Sequence, residues 1–333
     1  MVRPCEDMTP GHVPRLRRQR GDPVRVLVTG AAGFVGRYLV AHLCASGDKV
    51  VETDRSHGGP DVLDAEAMVA LVAEASPEVV FHLAGQADVG RSWKVPVETL
   101  RVNVEGTFNV LAAAREASVE RVVTVTSADV YGVVDPADLP VNESARLRPV
   151  SPYAVSKAAT EMVAEQAFRG FGQDVVRARS FNHLGPGQSD RFVCPAIASR
   201  IVANELSGGD EVPVGDLTPL RDFTDVRDVV RAYRMLAVDG TAGAVYNVCS
   251  GMAVPISEVA EHLVALANRP MRLVPDPELF RPVEVPELCG DPTALRTDTG
   301  WEQESDLSET LADVIADWRT RVPQPGQVPP EGV

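Results

Sequence analysis

The chain has 333 residues, 44% of them hydrophobic, enough for one large α/β unit or two domains around an ample core. A formal net charge of −15 argues against a general binder of nucleic-acid phosphates, and no apolar run approaches the roughly 20 residues of a membrane span. Cys5, Cys44, Cys194, Cys249 and Cys289 are scattered without paired spacing, which points to a reducing, cytoplasmic setting and away from a structural metal site.

Residues 1 to 22 carry prolines and a basic cluster (Arg15, Arg17, Arg18, Arg20) without apolar periodicity and read as a disordered tail. Order begins at VRVLVTG, residues 24 to 30, a β-branched run that stops at glycine. It feeds a segment in which Val35, Leu39, Val40 and Leu43 recur at helical spacing. The junction holds Gly30, Gly33 and Gly36, followed closely by Phe34 and Val35. Glycines there permit a tight turn, close approach of backbone to a pyrophosphate, and packing of helix on strand, with the helix N-terminus facing the anion. A dinucleotide site is expected.

The next strand, KVVETD, ends at Asp54, whose carboxylate suits the ribose hydroxyls of NAD; Arg55 beside it suits the 2′-phosphate of NADP. Both cofactors stay open. A helix over 64 to 75 precedes VVFHLAG, residues 79 to 85, a buried-type strand ending in Leu83, Ala84 and Gly85, where backbone can lie against the cofactor. A long helix is expected over about 96 to 118, then a strand in RVVTVTSADVYG, residues 121 to 132, with Thr126, Ser127 and Asp129 at its carboxyl end, the rim where open α/β sheets bind ligands. His82, inside an apolar strand, reads as a satisfied core histidine.

SPYAVSKAATEM, residues 151 to 162, then places Tyr153 and Lys157 on one helical face a turn apart. An ammonium beside a phenol favours the phenolate, so Lys157 is expected to draw the Tyr153 pKa below its usual value of about 10 and make it a proton donor or acceptor. A half-buried tyrosine and a solvated lysine on a structural helix would give the same pattern. A fifth strand follows at 174 to 181. Five strands alternating with helices predict a doubly wound, Rossmann-type parallel sheet over residues 23 to 182, rejoined by about 222 to 251. A smaller α/β substrate domain is expected from 183 to 221 and 252 to 323. Two amphipathic helical stretches are expected in the latter, and a frayed tail from 324 to 333.

The glycine pattern, FHLAGQADV, NVEGTFNVL, SADVYG, SPYAVSK, FNHLGPGQ, RDFTDVRD, YNVCSG and RPVEVP together resemble the extended short-chain dehydrogenase/reductases, in their nucleotide-sugar branch. FNHLGPGQSDRFV, RDFTDVRDVVRAY, VYNVCSG and LFRPVEVPELCGDPTAL are most similar to the GDP-4-keto-6-deoxy-D-mannose reductases and dTDP-4-keto-6-deoxyhexose reductases. The resemblance implies an NAD(P)H-dependent 4-ketoreductase of a nucleotide-diphosphate sugar, with Tyr153 as acid/base, Lys157 holding the nicotinamide ribose and Ser127 bonding the substrate oxygen. It implies adenine contacts at Asp61 and Val62. Substrate contacts are implied at Gln86, Asp129, Asn182, Val193, Arg221, Arg281 and Glu284. It also implies a homodimer formed through helices near 96 to 118 and 152 to 169, with Ala158, Met162 and Val163 as spare apolar positions. A 4,6-dehydratase, a 4-epimerase and a non-catalytic NAD(P)-binding regulator are the alternatives. Ala128 removes the middle polar residue that dehydratases carry, and the presence of both Tyr153 and Lys157 argues against the regulator.

Overall fold

The computed structural model describes residues 23–280 and 283–322. The expected tails at 1–22 and 324–333, and Arg281, lie outside the described residues.

β1 (Arg25–Thr29) runs into α1 (Phe34–Ala45), β2 (Lys49–Thr53) into α2 (Ala65–Ala75), and β3 (Val79–His82) into α3 (Val89–Lys94), α4 (Pro96–Leu100) and α5 (Gly106–Glu116). β4 (Arg121–Ser127), α6 (Pro152–Phe171) and β5 (Val175–Ser180) complete the first run. Then come β6 (Asn182–Leu184), α7 (Val193–Ser207), β7 (Glu211–Val214), β8 (Leu220–Asp225), α8 (Val226–Asp239) and β9 (Val245–Val248). The remainder holds β10 (Ala253–Pro255), α9 (Ile256–Ala265), β11 (Arg272–Pro275), β12 (Glu287–Leu288), α10 (Thr293–Thr299) and α11 (Leu307–Arg321).

Six parallel strands pair in the order β2-β1-β3-β4-β5-β9. Period-2 alternation divides their side chains between two apolar layers. Val26, Val28, Phe81 and Val123 pack with α1 and α8, while Leu27, Val80 and Val122 pack with α2, α5 and α6. Both faces are covered, which is why these strands read as continuous apolar runs. The chain moves outward from β1 to β2 and then crosses to β3 on the other side. The carboxyl ends of β1 and β3 therefore flank the crevice where such sheets bind ligands. A third apolar cluster joins α7, α9 and α11 around Ile197, Ile201, Leu263 and Val314.

The helix expected over 96–118 is interrupted. Residues Arg101–Glu105 widen into a π turn between α4 and α5. The Asn103 carbonyl accepts the hydroxyls of Thr107 (2.6 Å) and Thr160 (3.1 Å), side chains that compete with the regular backbone ladder. Among the described residues beyond 252 there are three α-helices rather than two, because α10 is too short to show an amphipathic period. Two of the positions expected to be spare for dimer contact are not: Ala158 is buried in an inner cluster and Val163 packs on the core beneath α6, so only Met162 faces outward. Among the described residues no helix is long and apolar enough to cross a membrane.

The end of the sheet opposite the crevice is tied by a buried ion pair. Arg121, at the start of β4, donates Nε and Nη2 to Asp174 at 3.1 and 2.7 Å, and its Nη1 reaches the carbonyls of Leu236 and Ala237 at the C-terminus of α8. Removing one partner of such a pair leaves the other charge buried without compensation. Arg121→Met is therefore expected to lower the unfolding free energy by about 3–5 kcal/mol in urea denaturation, and Arg121→Met/Asp174→Leu to recover most of that loss.

Candidate active site

At the head of the crevice, Gly30 has φ +73, and a Cβ there would lie 2.7 Å from the Ala84 amide nitrogen. A Cβ on Gly36 would lie 2.1 Å from the Gly30 carbonyl oxygen, so α1 packs on the turn only because that residue has no side chain. Gly33 caps α1 without a side-chain bond, and no acid occupies the first turn, where Phe34 and Val35 begin the helix. The first amides are thus left to an anionic guest in the favourable field of the helix terminus. A side-chain-free cradle with uncapped amides fits a dinucleotide pyrophosphate.

Asp54 and Arg55 follow β2. Burial works to raise the Asp54 carboxyl, but hydrogen bonds from Ser56 Oγ (2.6 Å), Ser56 N (2.8 Å) and Ala32 N outweigh it and hold the group below the ordinary carboxylate range. Arg55 pairs with Asp61 at 3.0 Å. Asp61 also accepts the Leu63 amide, and its carboxyl is held down first by that bond and then by Arg55. Val62 is buried against Gly106, where a Cβ would meet its Cγ2 at 2.7 Å.

Leu83, Ala84 and Gly85 leave β3 as backbone along the crevice floor. At Gly85 a Cβ would stand 2.9 Å from Asn103 Oδ1 and 3.7 Å from Lys157 Nζ, so glycine admits both polar groups to the same place. Asn103 is clamped: Oδ1 accepts the Gln86 amide (2.7 Å), while Nδ2 donates to the Gln86 carbonyl (3.0 Å) and to Ser156 Oγ (2.8 Å). The π turn aims it there. Gln86 spends its side-chain Nε2 on the Asp88 carbonyl in its own loop and on Thr99 Oγ1 of α4.

α6 begins at Ser151, whose hydroxyl accepts the Ala154 amide at 3.1 Å, with Pro152 in its first turn, where a missing N–H is harmless. Tyr153 and Lys157 therefore point from the first turns of α6 toward the end of β4. The Ser127 hydroxyl lies near enough to the Tyr153 phenol to favour its charged form, and it accepts the Asp129 amide at 3.2 Å. Lys157 donates to the Val125 carbonyl at 3.0 Å, and its Nζ lies 6.0 Å from the Tyr153 ring centre. All three side chains are buried.

The electrostatics correct one expectation. Tyr153 is not made more acidic: burial pushes its phenol well above the usual value, Asp129 adds to the rise, and the Ser127 hydrogen bond opposes it. At 6.0 Å from the ring, the ammonium does not offset the lost hydration. Lys157 itself is drawn down to about 8 by burial, against the opposing charge of Glu161. His82 is a satisfied core residue, held between Thr29 (2.8 Å) and Thr107 (3.0 Å) and lowered to about 3 by burial and by Lys157.

Asp129 lies in the 3-10 turn after β4 beside the reacting cluster, Asn182 in β6 and Val193 at the start of α7. Arg221 on β8 forms an ion pair with Glu284, so these two positions, foreseen as separate contacts, form one unit. Sequence reasoning missed the clamp of Asn103. Its signal was an Asn inside an apolar helical segment, with partners 17 and 53 residues away along the chain.

Comparison with known proteins identifies the family. Residues 26–249 match the NAD dependent epimerase/dehydratase family. The chain is 39% identical over 301 residues to the GDP-6-deoxy-D-mannose reductase of Pseudomonas aeruginosa, covering 90% of this chain and 98% of the relative. It is 32% identical to the UDP-glucose 4-epimerase of Mycolicibacterium smegmatis, covering 90% and 99%. Among solved structures, RMD from Pseudomonas aeruginosa complexed with NADPH superimposes with a TM-score of 0.82 at 38% identity, over 90% of this chain and 100% of that one. With a Gly30–Gly36 cradle, a Ser127–Tyr153–Lys157 cluster and these likenesses, the chain belongs to the NAD-dependent epimerase/dehydratase family of extended short-chain dehydrogenase/reductases.

Proposed function

We propose that the protein is an NAD(P)H-dependent reductase acting on the 4-keto group of a nucleotide-linked 4-keto-6-deoxyhexose. The observation that carries this reading is the pairing of the Ser127 and Tyr153 hydroxyls beside Lys157, above a glycine-floored crevice. The bound nicotinamide supplies the hydride. A carbonyl that takes up hydride becomes an alkoxide unless a proton arrives with it. Ser127 and Tyr153 donate hydrogen bonds to the substrate oxygen, and the Tyr153 phenol passes its proton there, leaving a phenolate that Lys157 stabilises and solvent reprotonates. A phenol raised by burial keeps its proton at neutral pH, which suits an acid in the reductive direction.

Lys157, with Asn103 locking the loop below it, is assigned to the nicotinamide ribose; Gly30, Gly33, Phe34 and Val35 to the pyrophosphate; Asp54 or Arg55 to the adenosine ribose; and Asp61 and Val62 to adenine. Asn182, Val193 and the Arg221–Glu284 unit are assigned to the nucleotide sugar, with Gln86 and Asp129 near the hexose. In this division residues 23–182 and 222–251 hold the cofactor, while 183–221 and 252–323 hold the sugar nucleotide. Ala128 presents no acid at the middle position of the strand end, which disfavours elimination across the sugar. The described cysteines are free thiols, which supports a reducing, cytoplasmic setting.

A second copy of the chain is the proposed occupant of the outer face of α4, α5 and α6. Val97 (69% exposed), Phe108 (52%), Val155 (43%) and Met162 (65%) stand exposed on these helices, uncovered by any other element among the described residues.

Purified protein incubated with GDP- and dTDP-linked 4-keto-6-deoxyhexoses is expected to consume NADH or NADPH and to yield a 4-hydroxy sugar. Epimerised or dehydrated sugar with no net loss of reduced cofactor would overturn the reductase reading. Tyr153→Phe should cut turnover by about 10²–10⁴-fold while leaving cofactor binding, followed by fluorescence, unchanged. In the native protein kcat/KM should fall as pH rises through about 8, where Lys157 loses its proton. Light scattering should report twice the 35.7 kDa chain mass, and Phe108→Glu/Met162→Glu should halve it.

A further inference from the structure

The face of α6 that carries Tyr153 and Lys157 continues one turn further to Glu161. Positions four residues apart on a helix are neighbours, so Tyr153, Lys157 and Glu161 form a single row facing β4 and β5. Glu161 is 2% exposed and Arg179, on β5, is 5% exposed. The guanidinium grips the carboxylate with Nε at 2.8 and 3.0 Å and Nη2 at 2.7 Å. Thr126 adds its hydroxyl to Glu161 Oε1 at 2.8 Å. The remaining Arg179 nitrogen, Nη1, donates to the Tyr131 hydroxyl (2.9 Å) and the Glu143 carbonyl (3.1 Å), and Tyr131 in turn donates to Asn247 on β9.

We propose that Glu161, locked in place by Arg179, is a positioning residue that fixes the Lys157 ammonium and, through Thr126, the adjoining Ser127. The geometry ties both ends of the reacting cluster to one buried carboxylate. Val125, whose carbonyl receives Lys157, and Ser127, whose side chain acts on Tyr153, are the two chain neighbours of the Thr126 that Glu161 holds. A buried ion pair is weak evidence of stabilisation by itself, and its best-attested use is to select one arrangement. Here it selects the register of α6 against the end of β4. It also keeps a negative charge beside an ammonium that burial would otherwise neutralise.

The charged and titratable groups around this row are Tyr153 and Glu161 on α6, His82 on β3, and Asp129 and Tyr131 after β4. Arg177 and Arg179 face it from β5, with Glu165 paired to Arg177, and Tyr233 on α8 acts on Tyr153 at longer range. Removing Glu161 therefore leaves Lys157 among cations, and removing Arg179 leaves it beside an unneutralised carboxylate. The two changes must move Lys157 in opposite directions.

The chain has three lysines, Lys49, Lys94 and Lys157, so NMR of isotopically labelled lysine ε-carbons resolves the titration of Lys157 without substrate or cofactor. Glu161→Gln is expected to lower its midpoint by about one pH unit and Arg179→Gln to raise it, with the alkaline limb of kcat/KM moving by the same amounts. Should either variant fail to fold, Glu161→Asp, which retains the charge but withdraws it, is expected to lower the midpoint by a smaller step. An unchanged midpoint in Glu161→Gln or Glu161→Asp, or a shift of the same sign in the Gln variants, overturns the proposal. The proposal rests on the reductase reading only for its effect on turnover. Native protein that consumes no reduced cofactor with any keto sugar, while the NMR shifts hold, would sink that reading and leave the role of Glu161 standing.

Discussion

Burial of one face of α6 against the carboxyl end of β4 sets the chemistry of the molecule. Lys157 is withdrawn from water and anchored on the Val125 carbonyl, and the same desolvation that lowers it raises Tyr153. An exposed Tyr-Lys pair would titrate near ordinary values and exchange its protons freely with solvent. In the crevice the phenol holds its proton and the ammonium lies close to losing its own. That balance belongs to a site that delivers a proton together with a hydride.

The crevice has this shape because backbone takes the place of side chains in it. Gly30 lies against Ala84, Gly36 against the Gly30 carbonyl, and Gly85 against Asn103 and Lys157. These close approaches bring β1, β3 and the π turn before α5 to one point at the switch in strand order. A methyl group at any of the three would push apart elements that carry different parts of the site. The uncapped start of α1 then directs its amides into that space, a local attraction for phosphates on a chain whose overall charge is −15.

Charge inside the protein is arranged in matched, buried pairs at both ends of the sheet. Arg121–Asp174 closes the end away from the crevice, and Arg179–Glu161 lies directly beneath the reacting groups. The first pair fastens strands to α8. The second is threaded into the hydrogen bonds of Thr126, Tyr131 and Asn247 and so carries the position of β9 back to the active face of α6. Asp222 plays a similar part in the later sheet, its carboxylate accepting the amides of Ser250, Gly251 and Gly290 and the Ser250 hydroxyl.

The doubly wound sheet, the glycine turn, the Tyr153–Lys157 face and the hydroxyl of Ser127 were legible before any fold was known. The first three are written in local spacing: continuous apolar runs, glycines at a strand-to-helix junction, and residues four apart on a helix; the part of Ser127 came from the family resemblance. What the sequence did not carry was anything that depends on which distant segments meet. Arg221 pairs with Glu284, Asn103 with Gln86 and Ser156, and Glu161 with Arg179, and none of these follows from spacing along the chain. Tertiary packing alone decided the direction of the tyrosine shift, since adjacency to an ammonium is visible in a motif whereas loss of hydration is a property of everything packed around it.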